Sequence, residues 1–119
     1  MIVLPRQARD VHRENSKTRV VFSYQLGGNA VFMHGYNRWH NISRSEFVWL
    51  GDSAVALVGR SQLADATAGD FPQDVSVTHN VMHEVGIITK QASPYFQTVA
   101  ASNLIHANVM FNGPRAGIK

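Results

Sequence analysis

The side chains able to do chemistry in this chain are few and scattered. Lys90 is followed by Gln91 and Ser93, and Arg115 stands well further along, with Asn112 just before it. Removal of a proton beside a carboxylate needs a base and a positive group for the developing anion, so Lys90 and Arg115 matter only if the fold makes them neighbours. The acids in the body of the chain include Asp52, Asp70, Asp74 and Glu84. Hydrolysis of a glycosidic bond needs two carboxyl groups ~5–9.5 Å apart. Asp52, in the Gly51-Asp52 pair, is the best placed, although Gly-Asp is also ordinary turn chemistry. Its counterpart in the later Gly86-Ile87 pair is apolar, so hydrolysis is the weaker reading.

Metal chemistry finds little support. His79 and His83 are four apart, with Glu84 next, but residue 80 is Asn and no HExxH forms. That spacing gathers ligands on one helix face, whereas along a strand it holds them ~13 Å apart. His34 and His40 flank the Gly35–Arg38 segment and read as surface groups. There is no cysteine, hence no disulfide, thiol nucleophile or thiolate site. Gly27-Gly28 lacks the Lys-Ser/Thr of a phosphate loop. No cofactor is implied, with a divalent cation such as calcium left open.

The elements that must position these groups are short. Of 119 residues, 45% are apolar and only 16% charged, with amide, hydroxyl and glycine residues making up the difference. That balance fits a turn-rich β protein. No apolar run in the sequence approaches the length of a membrane-spanning helix. The net charge of +3 lies wholly in residues 1–20, where Arg6, Arg9, Arg13, Lys17 and Arg19 outnumber Asp10 and Glu14. The rest is neutral and lacks basic-aromatic interleaving, which argues against nucleic acid. Residues 1–19 are read as a weakly structured basic arm. Their apolar start is too short for a signal peptide.

From residue 20 onward the texture is β. Val20 to Tyr24, Ala30 to Met33, Phe47 to Leu50, Ala54 to Val58, Val75 to Val77, Val81-Met82, Ile87-Ile88, Tyr95 to Val99, Leu104-Ile105 and Val109 to Phe111 are short apolar runs between turn residues. Residues 60–73 read as a loop. A motif of polar residue, two apolar residues, short link and glycine recurs at Ser45–Gly51, His79–Gly86 and Ala107–Gly113, with Glu46, Asn80 and Asn108 as its anchors. A recurrence at this spacing, with short strands, indicates a solenoid. Helical repeats are disfavoured, because the runs are short and rich in Val, Ile and Phe. The expectation is an all-β, right-handed parallel β-helix over residues 20–119, of three to four coils at about 25–30 residues each. Its core would hold ladders such as Phe47–Val81–Val109, with Asn80 and Asn108 forming a stacked amide ladder. Phe47, Trp49, Phe96 and Phe111 are expected in the core. The chain stops in mid-repeat at Ala116–Lys119, which reads as a fragment of a longer helix with open, self-associating edges.

Particular motifs then carry a resemblance. Gly35-Tyr36-Asn37-Arg38, Phe47–Ala56, Glu84–Ile87, Lys90–Ser93, Tyr95–Gln97 and, above all, Phe111-Asn112-Gly113-Pro114-Arg115-Ala116-Gly117-Ile118 resemble a large, poorly characterised family of right-handed parallel β-helix proteins with the pectin-lyase-like fold. The resemblance spans about residues 20–118. It implies a module that recognises polysaccharide, in an extracellular setting, and a lyase in preference to a hydrolase if it cleaves. On that reading Lys90, Arg115 and Asp52 are the catalytic candidates, Lys90 serving as base if burial or Arg115 lowers its pKa. Arg38, Tyr36, Trp39, Gln91, Ser93 and Asn112 are the substrate-binding candidates. Tyr36 and Trp39, with Tyr95 and Phe96, offer faces for sugar rings. The competing readings are a structural or adhesive segment without an active site, and an inactive truncated fragment.

Overall fold

The computed structural model describes residues 22–119; the basic arm expected at 1–19 lies outside the described residues. Among the described residues there are twelve strands and no helix: β1 (Phe22–Tyr24), β2 (Val31–His34), β3 (Asn37–Arg38), β4 (Asn41–Ser43), β5 (Glu46–Val48), β6 (Val55–Val58), β7 (Pro72–Gln73), β8 (Ser76–Thr78), β9 (Val81–His83), β10 (Tyr95–Thr98), β11 (Leu104–His106) and β12 (Val109–Phe111). The chain is all-β. Its strands form four sheets, ordered β1-β5-β9-β12, β10-β6-β2, β11-β8-β4 and β3-β7. Every strand pair is parallel. No helix among the described residues is long and apolar enough to cross a membrane.

Strands this short survive because a corner follows most of them at once. Gln25, Trp49, Glu84 and Asn112 directly follow β1, β5, β9 and β12, and all four have positive φ. Arg44, His79 and Ala107 do the same after β4, β8 and β11. A left-handed residue costs roughly 1–2 kcal/mol when it is not glycine. Hydrogen bonds between stacked corners offset that cost, as from the Arg44 N–H to Thr78 O at 3.3 Å and from the His79 N–H to His106 O at 3.2 Å.

The first step of the register is the same on two sheets: Phe22 pairs with Glu46, and Val31 with Val55. Between β6 and β7 the chain leaves the stack and returns, so the step that pairs Asn37 with Pro72 is longer. The excursion is shorter than expected at its far end, because Pro72 and Gln73 are already strand β7. Strands β3, β4 and β7 had no apolar run to announce them. Ile87-Ile88, expected as a strand, lies in a turn with the two residues 45% and 71% exposed.

The core is a set of inward columns. Val31, Val55 and Tyr95 share a register position, as do Ile42, Val77 and Ile105, and Phe47, Met82 and Met110. The expected column Phe47–Val81–Val109 is therefore off by one residue: Val81 pairs with Glu46 and Val109. A slip of one reverses the face of every side chain. Trp49 and Phe111, expected inside, are 43% and 45% exposed for the same reason. The amide ladder is present. Asn80 Oδ1 accepts the Ser45 N–H at 3.0 Å, and Asn108 Oδ1 accepts the Asn80 N–H at 2.9 Å and Asn80 Nδ2 at 3.0 Å. The backbone N–H of Ser45 therefore stands where the repeat was expected to place its anchor Glu46.

Candidate functional site

Three turns stack on one edge of the β10-β6-β2 sheet. The first, Gly27-Gly28-Asn29, precedes β2; the second, Gly51-Asp52-Ser53, precedes β6; the third, residues 86–93, precedes β10. They are stitched by backbone hydrogen bonds: Gly51 N–H to Leu26 O at 2.7 Å, Thr89 N–H to Gly51 O at 2.8 Å and Gly86 N–H to Asp52 O at 3.0 Å. A Cβ on Gly51 would overlap the Gly27 carbonyl, so glycine is required by the closeness of the turns. The Asn29 side chain accepts the Ser53 N–H at 3.0 Å, repeating the ladder logic at this edge.

Beside these turns, on the outer face of the sheet, lies a shallow groove of about 240 Å³. Phe32, Ala56 and Phe96 occupy one register position on the three strands and form its floor. Asn29, Asp52, Thr89 and Gln91 stand around it. Asp52 is the one carboxylate among the described residues that line the groove, so the two-acid arrangement of a glycoside hydrolase is not formed there. Gln91 joins the groove to the turn beyond β12, because Arg115 Nη1 donates to Gln91 Oε1. Lys119 Nζ lies 5.9 Å over the Phe96 ring.

The structure brings together part of the expected constellation. Asp52 and Gln91 line the groove and Arg115 reaches it through Gln91. Lys90 is adjacent in sequence and exposed, so it lacks the burial that was one condition for its acting as a base. Asn112 is exposed, and its Nδ2 donates to Glu84 Oε1 at 2.7 Å. Ser93 does not face a ligand: it is 1% exposed, and its Oγ has no hydrogen-bond partner. Tyr95 is also buried, and burial pushes its hydroxyl pKa up to about 12, while its O–H donates to Gln97 Oε1 at 2.8 Å.

Arg38 was expected beside Asp52 and is elsewhere. Asp52 precedes β6, whereas Arg38 lies beyond the far end of β2, the parallel neighbour of β6. Its guanidinium sits 4.2 Å over the Tyr36 ring and 5.2 Å from that of Phe71. It donates to Gly69 O at 2.9 Å and to Phe71 O. Arg38 thus braces the loop between β6 and β7, helped by the Arg60–Asp70 ion pair at 3.7 Å. Tyr36 and Trp39 are 48% and 55% exposed at this separate corner.

The histidines divide among different columns. His79 meets His106 edge-on at 6.0 Å, and His83 stacks on Phe111 at 4.7 Å with its Nε2 3.3 Å from Glu46 Oε1. His40, expected at the surface, is 4% exposed, and burial lowers its pKa. Among the described residues no three His, Asp or Glu side chains converge as a metal site.

Sequence reasoning missed Phe32, Ala56 and Thr89. The signal was available in Val31-Phe32, Val55-Ala56 and Tyr95-Phe96, each an inward residue followed by an outward one at the same register. No family model matches the chain, and no curated protein or solved structure matches it.

Proposed function

We propose that this chain is a polysaccharide-recognising module with the coil-on-coil architecture of a right-handed parallel β-helix, and that it binds rather than cleaves. The observation that carries the reading is the groove on the outer face of β10-β6-β2. Its phenyl floor suits the C–H face of a sugar ring, and its amide, hydroxyl and carboxylate rim suits the hydroxyls around that ring. Neighbouring parallel strands are ~4.8 Å apart, so a groove crossing three of them follows the stacking direction, along which a long polymer can lie. Asp52, Ala56, Gln91 and Phe96 of the groove fall within the motifs that resemble the pectin-lyase-like β-helix proteins, and the extracellular setting is proposed on that resemblance. Binding is favoured over lyase chemistry because Lys90 is exposed and Arg115 is engaged by Gln91.

The test is a panel of acidic and neutral polysaccharides in affinity electrophoresis, run beside an ultraviolet assay for unsaturated uronate. Retardation by at least one polymer class with no unsaturated product is the expected result. Product formation that disappears in Lys90→Ala would replace binding with lyase activity. No retardation by any polymer would remove the reading. A second reading, a structural segment that stacks on copies of itself, draws on the apolar row of Leu104, Val109, Phe111 and Ile118, between 45% and 56% exposed. Sedimentation velocity separates it, since self-stacking would show as concentration-dependent growth.

A further inference from the structure

We propose that the loop between β6 and β7 is a processing site, cut after Leu63 by an endopeptidase whose specificity pocket takes a large apolar side chain, and that the nicked chain stays folded as a two-part molecule. The proposal does not rest on the polysaccharide reading. Residues 60–65 are all exposed, and Leu63 at the tip is 101% exposed. Its backbone is left-handed, with φ of 53°, although it stands outside the stacked corners where such residues recur. The side chain is therefore held clear of the molecule, where a pocket can close around it.

The bonds inside the loop decide where it opens. Gln62 and Asp65 exchange backbone hydrogen bonds at 2.8 and 2.9 Å, and the Gly69 N–H donates to Ala66 O at 3.1 Å. Ser61 Oγ donates to Leu63 O at 3.2 Å, and the Thr67 N–H to Asp65 Oδ1 at 2.9 Å. Each of these ties one loop residue to another, so residues 61–68 can open without taking a bond from the stack. The base of the loop stays clamped: the Arg60 N–H donates to Asp70 O at 2.8 Å, and Arg38 donates to Gly69 O and Phe71 O. The other exposed apolar side chains sit on backbone tied to a neighbouring layer. The Trp39 N–H donates to Gln73 O at 3.4 Å, Ile88 N–H to Gly51 O at 3.2 Å, Leu104 N–H to Val75 O at 2.9 Å and Val109 N–H to Asn80 O at 2.9 Å. A peptidase takes its substrate as an extended strand. At those positions the layers must part first; at Leu63 only the loop must.

The cut adds one water across the Leu63–Ala64 peptide bond, leaving a carboxylate on Leu63 and an amino group on Ala64. Both new ends lie at the exposed tip, and the left-handed strain at Leu63 is released. The parts remain joined through four parallel strand pairs, β3–β7, β4–β8, β5–β9 and β6–β10, whose first members lie before the cut and whose second members lie after it. The bonds of the Asn80 side chain with the Ser45 N–H and Ile42 O cross between the parts as well.

The experiment is limited proteolysis of the full chain with a trace of chymotrypsin, and separately of thermolysin, with the products identified by mass spectrometry. Within residues 22–119 the first cut is expected after Leu63 with chymotrypsin and just before it with thermolysin. The two products should co-elute in native size exclusion, separate in denaturant and unfold together in one thermal transition. Leu63→Asp, at a fully exposed position, should slow both cuts roughly tenfold or more, with thermal unfolding confirming that the variant is folded. A first cut after Tyr36, Trp39 or Trp49, or a rate unchanged in Leu63→Asp, overturns the site. Products that part in native buffer overturn the two-part molecule.

Discussion

In the layer formed by β6 to β9, the inward residues Val55, Leu57, Val77 and Met82 are each 0% exposed. One layer on, at the same register, Tyr95 stays sealed, but Ile105 and Met110 are only half-buried. The outward residues Leu104, Val109 and Phe111 of that layer are 54%, 56% and 45% exposed. The sequence pattern of the two layers is nearly the same. What differs is the number of neighbours: β6, β8 and β9 have strands on both sides, and β11 and β12 have a partner strand on one side only. Tyr95 shows how local the effect is. The chain returns to cover it, with the Tyr95 N–H donating to Gly117 O at 3.1 Å and the Lys119 N–H to Tyr95 O at 3.0 Å. Burial here belongs to stacking more than to residue type.

The largest difference between the layers is expected at the amide ladder. Asn80 is 1% exposed, and besides accepting from the Ser45 N–H it donates to Ile42 O at 2.9 Å. Asn80→Ala takes this side-chain partner from two backbone groups, the Ser45 N–H and the Ile42 carbonyl, and from Asn108 Oδ1, and urea denaturation should show a loss of about 3–5 kcal/mol. Asn108→Ala also removes three bonds, to the Asn80 N–H, Asn80 Nδ2 and Val77 O, but from a half-buried side chain, where water can reach the groups it leaves, and should cost about 1–3 kcal/mol. Equal losses would mean that layer position does not matter.

A smaller effect is expected for the methionine pair. Met82→Ala opens a cavity in the sealed layer and should cost about 2–5 kcal/mol. Met110→Ala, at the same register but half-buried, should cost less than half as much. The ratio of the two losses, measured by denaturant midpoint, sharpens the comparison into a number.

Proton linkage gives the smallest effects. Burial raises the Tyr95 pKa to about 12, so the stabilisation of its neutral form is complete below the ordinary tyrosine value of 10.0 and is lost as pH rises from there through about 12. Burial lowers the His40 pKa, so its contribution is complete above 6.5 and is lost as pH falls below that value. Replacing Tyr95 by Phe should flatten the alkaline limb of the stability profile, and replacing His40 by Asn the acid limb. Either limb persisting unchanged would assign the linkage to another group.

The strands beginning at Val31, Val55, Val81, Tyr95 and Val109 were legible because β-branched and aromatic residues cluster between glycines. The Asn80–Asn108 ladder was legible because the two residues occupy the same place in a repeat. The register was not legible, because its step varies from one layer to the next with the excursion between β6 and β7 and the longer turn at residues 86–93. The reversed faces of Val81, Trp49 and Phe111 come from the corners. A left-handed residue after most strands resets the alternation, so side-chain parity does not carry through a corner. Asp52 and Gln91 were found because both follow a turn at the same edge. Arg38 was misplaced because its ties run to Gly69 and Phe71, in a loop whose path no local pattern gives.

A polysaccharide is proposed to lie on the face carrying Phe32, Ala56 and Phe96. The most direct measurement is amide chemical-shift mapping of the chain while an acidic oligosaccharide is titrated in. The account predicts saturable shifts concentrated at Phe32, Ala56, Phe96, Asp52 and Gln91, with the Tyr36–Trp39 corner and the β11–β12 edge unmoved. Shifts confined to that corner or that edge, with the groove silent, would contradict it.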